Sequence, residues 1–253
     1  MISSESSEGK YQEGWQRSCV DTLKKCPACY GQKQSKKNQR KVAAMAQFMK
    51  FNQESALAIL RYNMRDSDGT GNPDWKTEKT PDNYNLAPKS HGRTYGEQTT
   101  YYQQRLNEVY CMKKKDLITL VSVIVSCPTD VPIGKRKEFF SLSYRFLADR
   151  YGEKNVIQSV VHFDEKRMTA PHMHFTFIPV TKNPRFQNPK FKAAGRYEER
   201  VCANSVLSIN EYHRFHPEFQ TWFINQKFQA SVYTGITAGK LKAGKESEAE
   251  EKK

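Results

Sequence analysis

The sequence predicts an α+β fold in which a central, mostly antiparallel β-sheet is flanked by helices. Two segments, 155–165 and 171–180, are rich in β-branched and aromatic residues and are separated by five mostly polar residues, which is typical of an antiparallel hairpin. A third segment, 116–128, has the β-branched content of a buried strand. Helical patterns lie between these strands. Strands and helices that alternate around a hairpin favour an α+β layer structure.

The remaining elements are predicted in chain order. Segment 57–66 reads as a strand, and the turn-rich sequence DSDGTGNPD follows it. A polar helix is predicted over 95–112. Apolar residues at helical spacing predict a second helix that stops at Gly152, because glycine favours the C-cap. A last helix is predicted over 217–228, with Pro217 at its first position, where a missing N–H costs nothing.

The composition divides the chain into three parts. Residues 1–44 are predicted to form a basic, disordered arm, residues 45–236 the main domain, and residues 237–253 a charged mobile tail. From 22 to 53 there are eight Lys or Arg and no acid. A zinc knuckle in the arm is a weaker alternative, because a second cysteine pair or a nearby histidine is missing. Its three cysteines are Cys19, Cys26 and Cys29.

The charge balance favours a polyanionic partner. Forty-one Lys and Arg against 27 Asp and Glu give a formal net charge of +14. Nucleic acid is the first candidate and an acidic membrane the second, with a merely solubilising surface as the plain alternative. No apolar run approaches the ~20 residues of a membrane helix, and the N-terminus lacks a signal-peptide pattern. We therefore expect a cytoplasmic protein with reduced cysteines.

The segment HFDEKRMTAPHMHFTFIP, residues 162–179, carries three of the six histidines. Because residues two apart on a strand share a face, His172 and His174 project together, and a hairpin brings His162 beside them. Met173 and the following phenylalanines occupy the opposite face, which is predicted to be the buried one. Three convergent imidazoles with open positions are typical of a catalytic metal site and suit Mn²⁺, Fe²⁺, Co²⁺, Ni²⁺ or Zn²⁺ better than Ca²⁺.

Asp164 and Glu165 follow His162 closely, and their side chains are predicted to point to opposite faces of the strand. One of them is expected to orient a ligand histidine, and the other to face solvent or to act as a base. The plain alternative for the whole segment is a set of surface histidines on a polar sheet face.

This segment resembles the third motif of the MobV-type (Mob/Pre) plasmid relaxases, H-x-D-E followed by P-H-x-H, within the HUH endonuclease superfamily. RYNMRD, at 61–66, is similar to the first motif of that family, H-N-x-R, and NYNL, at 83–86, to the second, N-Y-(D/E)-L. The resemblance covers about 45–235. Two departures stand out. Tyr62 occupies the position where the family commonly has histidine, and the gap before the P-H-x-H is five residues rather than two.

The resemblance implies a relaxase that nicks one strand at an origin of transfer and stays joined to the 5′ phosphate. His162, His172 and His174 are then the metal ligands. Glu165 is the motif acid. The metal is divalent, Mn²⁺ first, with Mg²⁺ or another transition metal as alternatives. Tyr62 is the candidate nucleophile, and a phenol with a pKa near 10 needs help to ionise. A packing or base-stacking role for Tyr62 stays open, with Tyr84, Tyr95 and His91 as reserve nucleophiles.

The same resemblance assigns DNA contacts around the motifs. Arg65 is suited to hold a phosphate through its planar fork, and the 133–137 stretch IGKRK would add backbone contacts. The other candidate DNA-binding residues are Asn63, Asn83, Tyr84, Lys113, Lys114 and Lys115.

Two alternative functions are compatible with the sequence. A rolling-circle replication initiator or HUH transposase would share the chemistry and differ in its target DNA. A non-cleaving origin-binding protein would bind the origin with Tyr62 merely stacking. The expected partner is single-stranded or supercoiled origin DNA. A coupling protein of the transfer machinery, and a homodimer formed through a C-terminal region absent from these 253 residues, are further expectations.

Overall fold

The computed structural model describes residues 46–66, 75–166, 168 and 170–233. The predicted arm at 1–44 and tail at 237–253 lie outside the described residues, as do the two ends of the predicted main domain. The three arm cysteines lie outside them as well.

Five strands form one sheet: β1 (Ala46–Asn52), β2 (Tyr84–Asn85), β3 (Ile118–Ser126), β4 (Val156–His162) and β5 (His172–Phe177). Their order is β1-β3-β5-β4-β2, and every neighbouring pair is antiparallel. The predicted hairpin is confirmed as β4 and β5, and the predicted strand at 116–128 as β3. A separate two-stranded sheet consists of β6 (Val180–Lys182) and β7 (Glu199–Val201).

Helices cover both faces of the large sheet. They are α1 (Gln53–Asn63), α2 (Tyr95–Asn107), α3 (Arg136–Tyr151), α4 (Ala203–Val206) and α5 (Ile209–Asn225). One core lies between the sheet and α3 and α5, and includes Met173, Phe175 and Phe177. The other lies between the sheet and α1 and α2, and includes Leu120 and Ile157. The predicted α+β class is confirmed. None of the helices in the described ranges is long and apolar enough to span a bilayer.

The predicted strand at 57–66 is wrong, because most of this segment belongs to α1. Asn52 ends β1 and caps the helix, since its Oδ1 accepts a hydrogen bond from the Ser55 backbone N–H at 2.9 Å. The buried residues of α1 recur with helical spacing: Ala56, Ile59, Leu60 and Asn63. This spacing is visible in the sequence and outweighs the apolar run that suggested a strand.

The last helix begins earlier than predicted. It starts at Ile209, where Ser208 caps it by accepting from the Glu211 N–H at 3.2 Å, so Pro217 lies inside α5. Burial of Phe215, Phe219 and Phe223 on one stripe holds this helix against the sheet despite the proline. The predicted polar helix at 95–112 ends at Asn107. The stop at Gly152 is confirmed, with φ +84° at that glycine.

Candidate metal centre

The strand register brings the three histidines together. His162, the last residue of β4, lies directly opposite His172, the first residue of β5, and His174 lies two residues further along the same face. The ring centroids are 5.0–5.5 Å apart. The predicted convergence across the hairpin is confirmed, so the longer gap leaves the pairing of the histidines intact.

The histidine face is covered, in contrast to the prediction that only the Met173 face is buried. The three imidazoles are 0–3% exposed. The reason is α1, which packs on this face and places the Asn63 carbonyl oxygen 2.8 Å from His162 Nε2. Because a carbonyl only accepts, His162 Nε2 carries the proton and Nδ1 keeps its lone pair. A backbone contact of this kind fixes the tautomer that a metal ligand needs.

The spacing of the donor atoms fits a metal ion. His172 Nε2 and His174 Nε2 are 3.1 Å apart. Two nitrogens bound to one ion at about 2.1 Å lie roughly 3.0–3.4 Å apart at common coordination angles. One ligand atom from each of four residues, the three histidines and Glu165, lies within 4.8 Å of the others. The donor set therefore fits a borderline divalent metal.

Glu165 is the fourth member of the cluster. Its Oε1 lies 3.5 Å from His162 Nδ1 and its Oε2 lies 3.4 Å from His172 Nε2. Burial raises the pKa of Glu165, but its close contacts with His172 and His162 outweigh this effect and hold the pKa well below its usual range. Glu165 is therefore an anion at neutral pH, as a metal-binding carboxylate must be.

Burial also favours the neutral form of two of the imidazoles, those of His162 and His174. The pKa of His174 is lowered well below its ordinary value by burial first, and then by the neighbouring His162 and His172. The pKa of His162 is lowered by burial as well, against the raising effect of Glu165. Neutral imidazoles offer the lone pairs that a metal requires.

Tyr62 reaches this cluster from the last turn of α1. Its hydroxyl donates a hydrogen bond to Glu165 Oε1 at 3.0 Å. Its ring packs edge-on against Trp75, with centroids 5.7 Å apart, and the Arg65 guanidinium lies 5.0 Å from the ring centroid. A candidate nucleophile thus touches the carboxylate of the candidate metal centre.

The reserve nucleophiles lie elsewhere. Tyr84 pairs with Val161, so its side chain is on the opposite face of the sheet, where burial raises its pKa to about 12. His91 donates from Nδ1 to the Val156 carbonyl, at the other end of β4 from His162. Tyr95 lies at the start of α2, with the Arg61 guanidinium 5.0 Å above its ring. Of the four candidates, the structure brings only Tyr62 to the histidines.

The Arg65 guanidinium, which was predicted to bind a phosphate, binds carboxylates in this structure. Its Nε lies 2.9 Å from Asp164 Oδ2, and one terminal nitrogen contacts both Asp164 and Glu165. The guanidinium also lies 4.7 Å from the Trp75 ring centroid. Burial raises the pKa of Asp164, but the Arg65 contact outweighs it, so Asp164 stays ionised. Asp164 and Glu165 are both buried, and the expectation that one of them faces solvent is wrong.

The two motif asparagines also have internal partners. Asn83 Nδ2 donates to Asp164 Oδ2 at 2.8 Å, and its Oδ1 accepts from the Phe163 N–H at 2.9 Å. Asn63 is fully buried and donates to Gln158 Oε1 at 3.1 Å. The Asn83 side chain thus holds the Asp164 carboxylate and the Phe163 backbone, whereas the backbone carbonyl of Asn63 orients His162.

A cleft lined with cations opens onto the cluster. Lys76, Lys79 and Arg136 line it together with Asp82 and with His162, Glu165 and His172. The first two lysines were not predicted as site residues, since their local sequence KTEK mixes charges and has no distinctive pattern. Arg136 belongs to the predicted 133–137 stretch. Lys113, Lys114 and Lys115 are exposed but precede the start of β3, whereas Ser126 at its end pairs with His172. The structure therefore places these three lysines at the opposite end of the sheet.

The fold and the cluster define an α+β protein that carries a candidate metal centre on the middle strands of an antiparallel sheet. The chain belongs to the Mob_Pre family of plasmid recombination enzymes, which matches residues 40–232.

Curated members of the family are similar over part of their length. A plasmid recombination enzyme of a Bacillus species is 28% identical over 148 residues, which are 54% of this chain and 33% of that protein. The type 1 enzyme of Staphylococcus aureus is 31% identical over 138 residues, 50% of this chain and 32% of the relative. The matched region is thus about a third of the length of these relatives.

Solved structures show the same fold. The Mn-bound MobM relaxase domain (MOBV; Mob_Pre) with plasmid pMV158 oriT DNA at pH 6.8 has a TM-score of 0.57 and 18% identity, covering 80% of this chain and 98% of that chain. The corresponding pH 4.6 structure has a TM-score of 0.57 and 19% identity, covering 79% and 99%.

Proposed function

We propose that this chain is the catalytic domain of a relaxase that nicks one DNA strand at the origin of transfer of a plasmid or other mobile element. It remains joined to the 5′ phosphate after the cut. Membership of the Mob_Pre family supports this proposal, as does the shared fold of MobM, which is described with Mn and origin DNA. The single observation that carries it is the hydrogen bond from the Tyr62 hydroxyl to Glu165 inside a three-histidine cluster.

The reaction is a transesterification at phosphorus. Tyr62 Oη forms the new bond to the scissile phosphate, and the bond from phosphorus to the 3′ oxygen breaks. Glu165 Oε1, which accepts the phenolic hydrogen bond, is placed to receive the proton that leaves the phenol. The departing 3′ oxygen takes up a proton from water and becomes a hydroxyl. The phosphodiester energy is conserved in the tyrosyl ester, so the strand can be rejoined later.

His162, His172 and His174 would hold a divalent metal, and Glu165 supplies a fourth donor. We propose Mn²⁺, with Mg²⁺ or another transition metal as alternatives. When bound, such an ion polarises the scissile phosphate and offsets the negative charge that develops on its oxygens. The protein contributes the register of β4 and β5, which sets the spacing of the imidazoles, and the Asn63 carbonyl, which fixes the tautomer of His162.

The DNA backbone is proposed to enter through the cationic cleft, where Lys76, Lys79 and Arg136 face the phosphates around the scissile bond. Arg65, Asn63 and Asn83 act as positioning residues, because their side chains or carbonyl already hold Asp164, Glu165 and His162. Tyr84 supports the opposite face of the sheet. Lys113, Lys114 and Lys115 remain proposed DNA contacts at a distance from the cut.

The proposed substrate is single-stranded or supercoiled origin DNA in the cytoplasm. A coupling protein of the transfer machinery and a second copy of this chain, as a homodimer, complete the proposed set of partners.

Cleavage of single-stranded DNA from the origin region of the element that encodes this chain tests the proposal. The chain is incubated with labelled oligonucleotides and Mn²⁺, and products are separated on a denaturing gel. A protein–DNA adduct in the wild type that is absent from Tyr62→Phe supports both the reaction and the nucleophile. An adduct that persists in Tyr62→Phe excludes Tyr62. Origin binding without any cut contradicts the relaxase and favours a non-cleaving origin-binding protein.

A further inference from the structure

A strongly basic loop joins β6 to β7 at the end of the fold away from the histidines. This basic loop, residues 182–197, contains five Lys or Arg and no Asp or Glu. The five cations are Lys182, Arg185, Lys190, Lys192 and Arg196. Within the described residues none of them forms an ion pair with a carboxylate. Their charge is therefore free to meet an anionic partner.

The basic loop has a defined shape. Asn183, which is buried, donates from Nδ2 to the Ala194 carbonyl at 2.7 Å and to the Tyr197 carbonyl at 2.8 Å. The Asn183 N–H donates to the Glu198 carbonyl, so the two ends of the loop meet. The backbone packs closely at Gly195, because a Cβ at this position would lie 3.1 Å from the carbonyl oxygens of Arg185 and Asn188. A compact loop with closed ends and internal packing presents its outward side chains in fixed directions.

Two of those outward side chains are aromatic. Phe186 is 39% exposed and Phe191 is 38% exposed. The Arg185 guanidinium lies 4.5 Å from the Phe191 ring centroid. Aromatic rings held in water between phosphate-binding cations form the combination that binds unpaired nucleotides, because each base has a face that can stack on a ring. Double-stranded DNA offers phosphates but keeps its bases stacked, so it would leave the rings unused.

The position of the basic loop separates it from the cationic cleft. β5 begins at His172 and ends at Phe177, and β6 follows at Val180. Six residues of strand span roughly 20 Å. Tyr110 bridges to Arg200 and its ring lies 6.1 Å from that of Tyr197, so the chain that leads to the exposed Lys113–Lys115 run starts beside the basic loop. The two basic segments thus lie at one end of the sheet and the cluster at the other.

We propose that the basic loop is a second DNA-binding surface, which holds unpaired nucleotides on Phe186 and Phe191 and their phosphates on its five cations. It rests on the proposed function in one respect, namely that the strand it holds is the strand nicked at the histidine cluster. A DNA strand fixed at two separate points, one at each end of β5, is held in one direction across the sheet, and the second contact adds affinity without touching the scissile phosphate.

Binding of single-stranded DNA without cleavage tests this surface. The full chain is titrated with a fluorescent mixed-sequence oligonucleotide of about 30 nucleotides in chelator, at several salt concentrations. Lys190→Gln/Lys192→Gln should weaken binding and lower the slope of log K against log salt by about 1.4, since each lost phosphate contact removes about 0.7. Phe186→Leu/Phe191→Leu, which keeps apolar bulk, should weaken binding at least about tenfold with the slope unchanged.

The matched control is Lys50→Gln/Lys89→Gln, which removes two exposed lysines outside the basic loop and should leave the slope within about 0.3 of the wild type. Circular dichroism melting confirms that the variants fold. Wild-type affinity and slope in both loop variants would overturn the proposal. So would unchanged DNA binding together with lost binding to vesicles of phosphatidylglycerol and phosphatidylcholine, which assigns the loop to an acidic membrane.

Cutting is measured separately, on a short oligonucleotide that reaches only the cleft, and should be equal in the wild type and the loop variants. If the wild type binds the long oligonucleotide through the basic loop but never cuts origin DNA, the proposed function fails and the second surface stands.

Discussion

The Tyr62 hydroxyl and the Glu165 carboxylate, 103 residues apart in the chain, share a hydrogen bond of 3.0 Å. Glu165 also reaches His162 and His172, so one carboxylate connects the end of α1 to both strands of the hairpin. The contact holds the hydroxyl at a fixed place beside the candidate metal centre. The ring is held independently by its packing against Trp75.

Tyr62→Phe should abolish cutting and leave the fold intact. The ring packing against Trp75 survives, while the proposed attacking oxygen is lost, so the single-turnover rate should fall by on the order of 10³-fold or more. Rate measurements on origin oligonucleotides check this. Tyr101→Phe is the matched control, because its hydroxyl donates to the carbonyl of Lys154, which precedes the start of β4, whereas His162 is the last residue of that strand. Equal rates for Tyr62→Phe and Tyr101→Phe would show that the phenol is dispensable.

His172→Ala should remove metal binding and cutting together. The wild type should gain thermal stability with added Mn²⁺, by about 2.7 kcal/mol at a concentration 100 times Kd, and should lose this gain in chelator. Calorimetric titration and thermal melting provide the measurements. His213→Ala, at an exposed position on α5, should behave as the wild type. Unaltered Mn²⁺ affinity in His172→Ala would exclude this cluster as the metal centre.

Asp164→Asn should destabilise the protein by about 3 kcal/mol, because it removes an ionised partner from the buried guanidinium of Arg65. Urea unfolding monitored by tryptophan fluorescence measures this. Lys135→Gln breaks the exposed ion pair with Glu138 and should cost no more than about 0.5 kcal/mol. If the two substitutions cost the same, Asp164 contributes no more than a surface charge.

Acid should destabilise the protein partly through His91. Burial lowers the pKa of His91 more than its hydrogen bond to the Val156 carbonyl raises it. Below about pH 6.5, His91 therefore binds a proton in the unfolded chain but not in the folded chain. The free energy of unfolding falls as the pH falls through that value. His91→Gln has no side chain that binds this proton. Its free energy of unfolding should decline less steeply from pH 8 to pH 5.5 than that of the wild type, and parallel curves would contradict the assignment.

The sheet and the convergence of the histidines were predictable because both follow from local patterns. Alternation along 171–178 sets which side chains share a face, and a hairpin is the simplest connection between two strands five residues apart. Gly152 ends its helix through its own backbone freedom, which is also a local property. Helix α1, which was wrongly predicted as a strand, is also indicated by local sequence, namely by the Asn52 cap and the helical spacing of its buried residues.

Contacts between distant segments could not be predicted in this way. Arg65 has the chemistry to bind a phosphate or a carboxylate equally well, and only the fold places Asp164, 99 residues later, against it. The histidine face is buried because α1 packs over it. No pattern within residues 162–179 predicts this packing. Lys76 and Lys79 line the cleft because the segment that follows Trp75 lies beside Glu165. An isolated β-bridge between Trp75 and Glu165 holds this segment in place.

The two halves of the candidate site come from parts of the fold that can change independently. The imidazoles stand on β4 and β5, and β5 is the middle strand of the sheet, so moving them would break ladders on both sides. Tyr62 stands on the last turn of a helix, where one side chain can be exchanged without altering any strand pairing. A substitution at position 62 therefore leaves the pairing of β4 and β5, and with it the spacing of the imidazoles, unchanged.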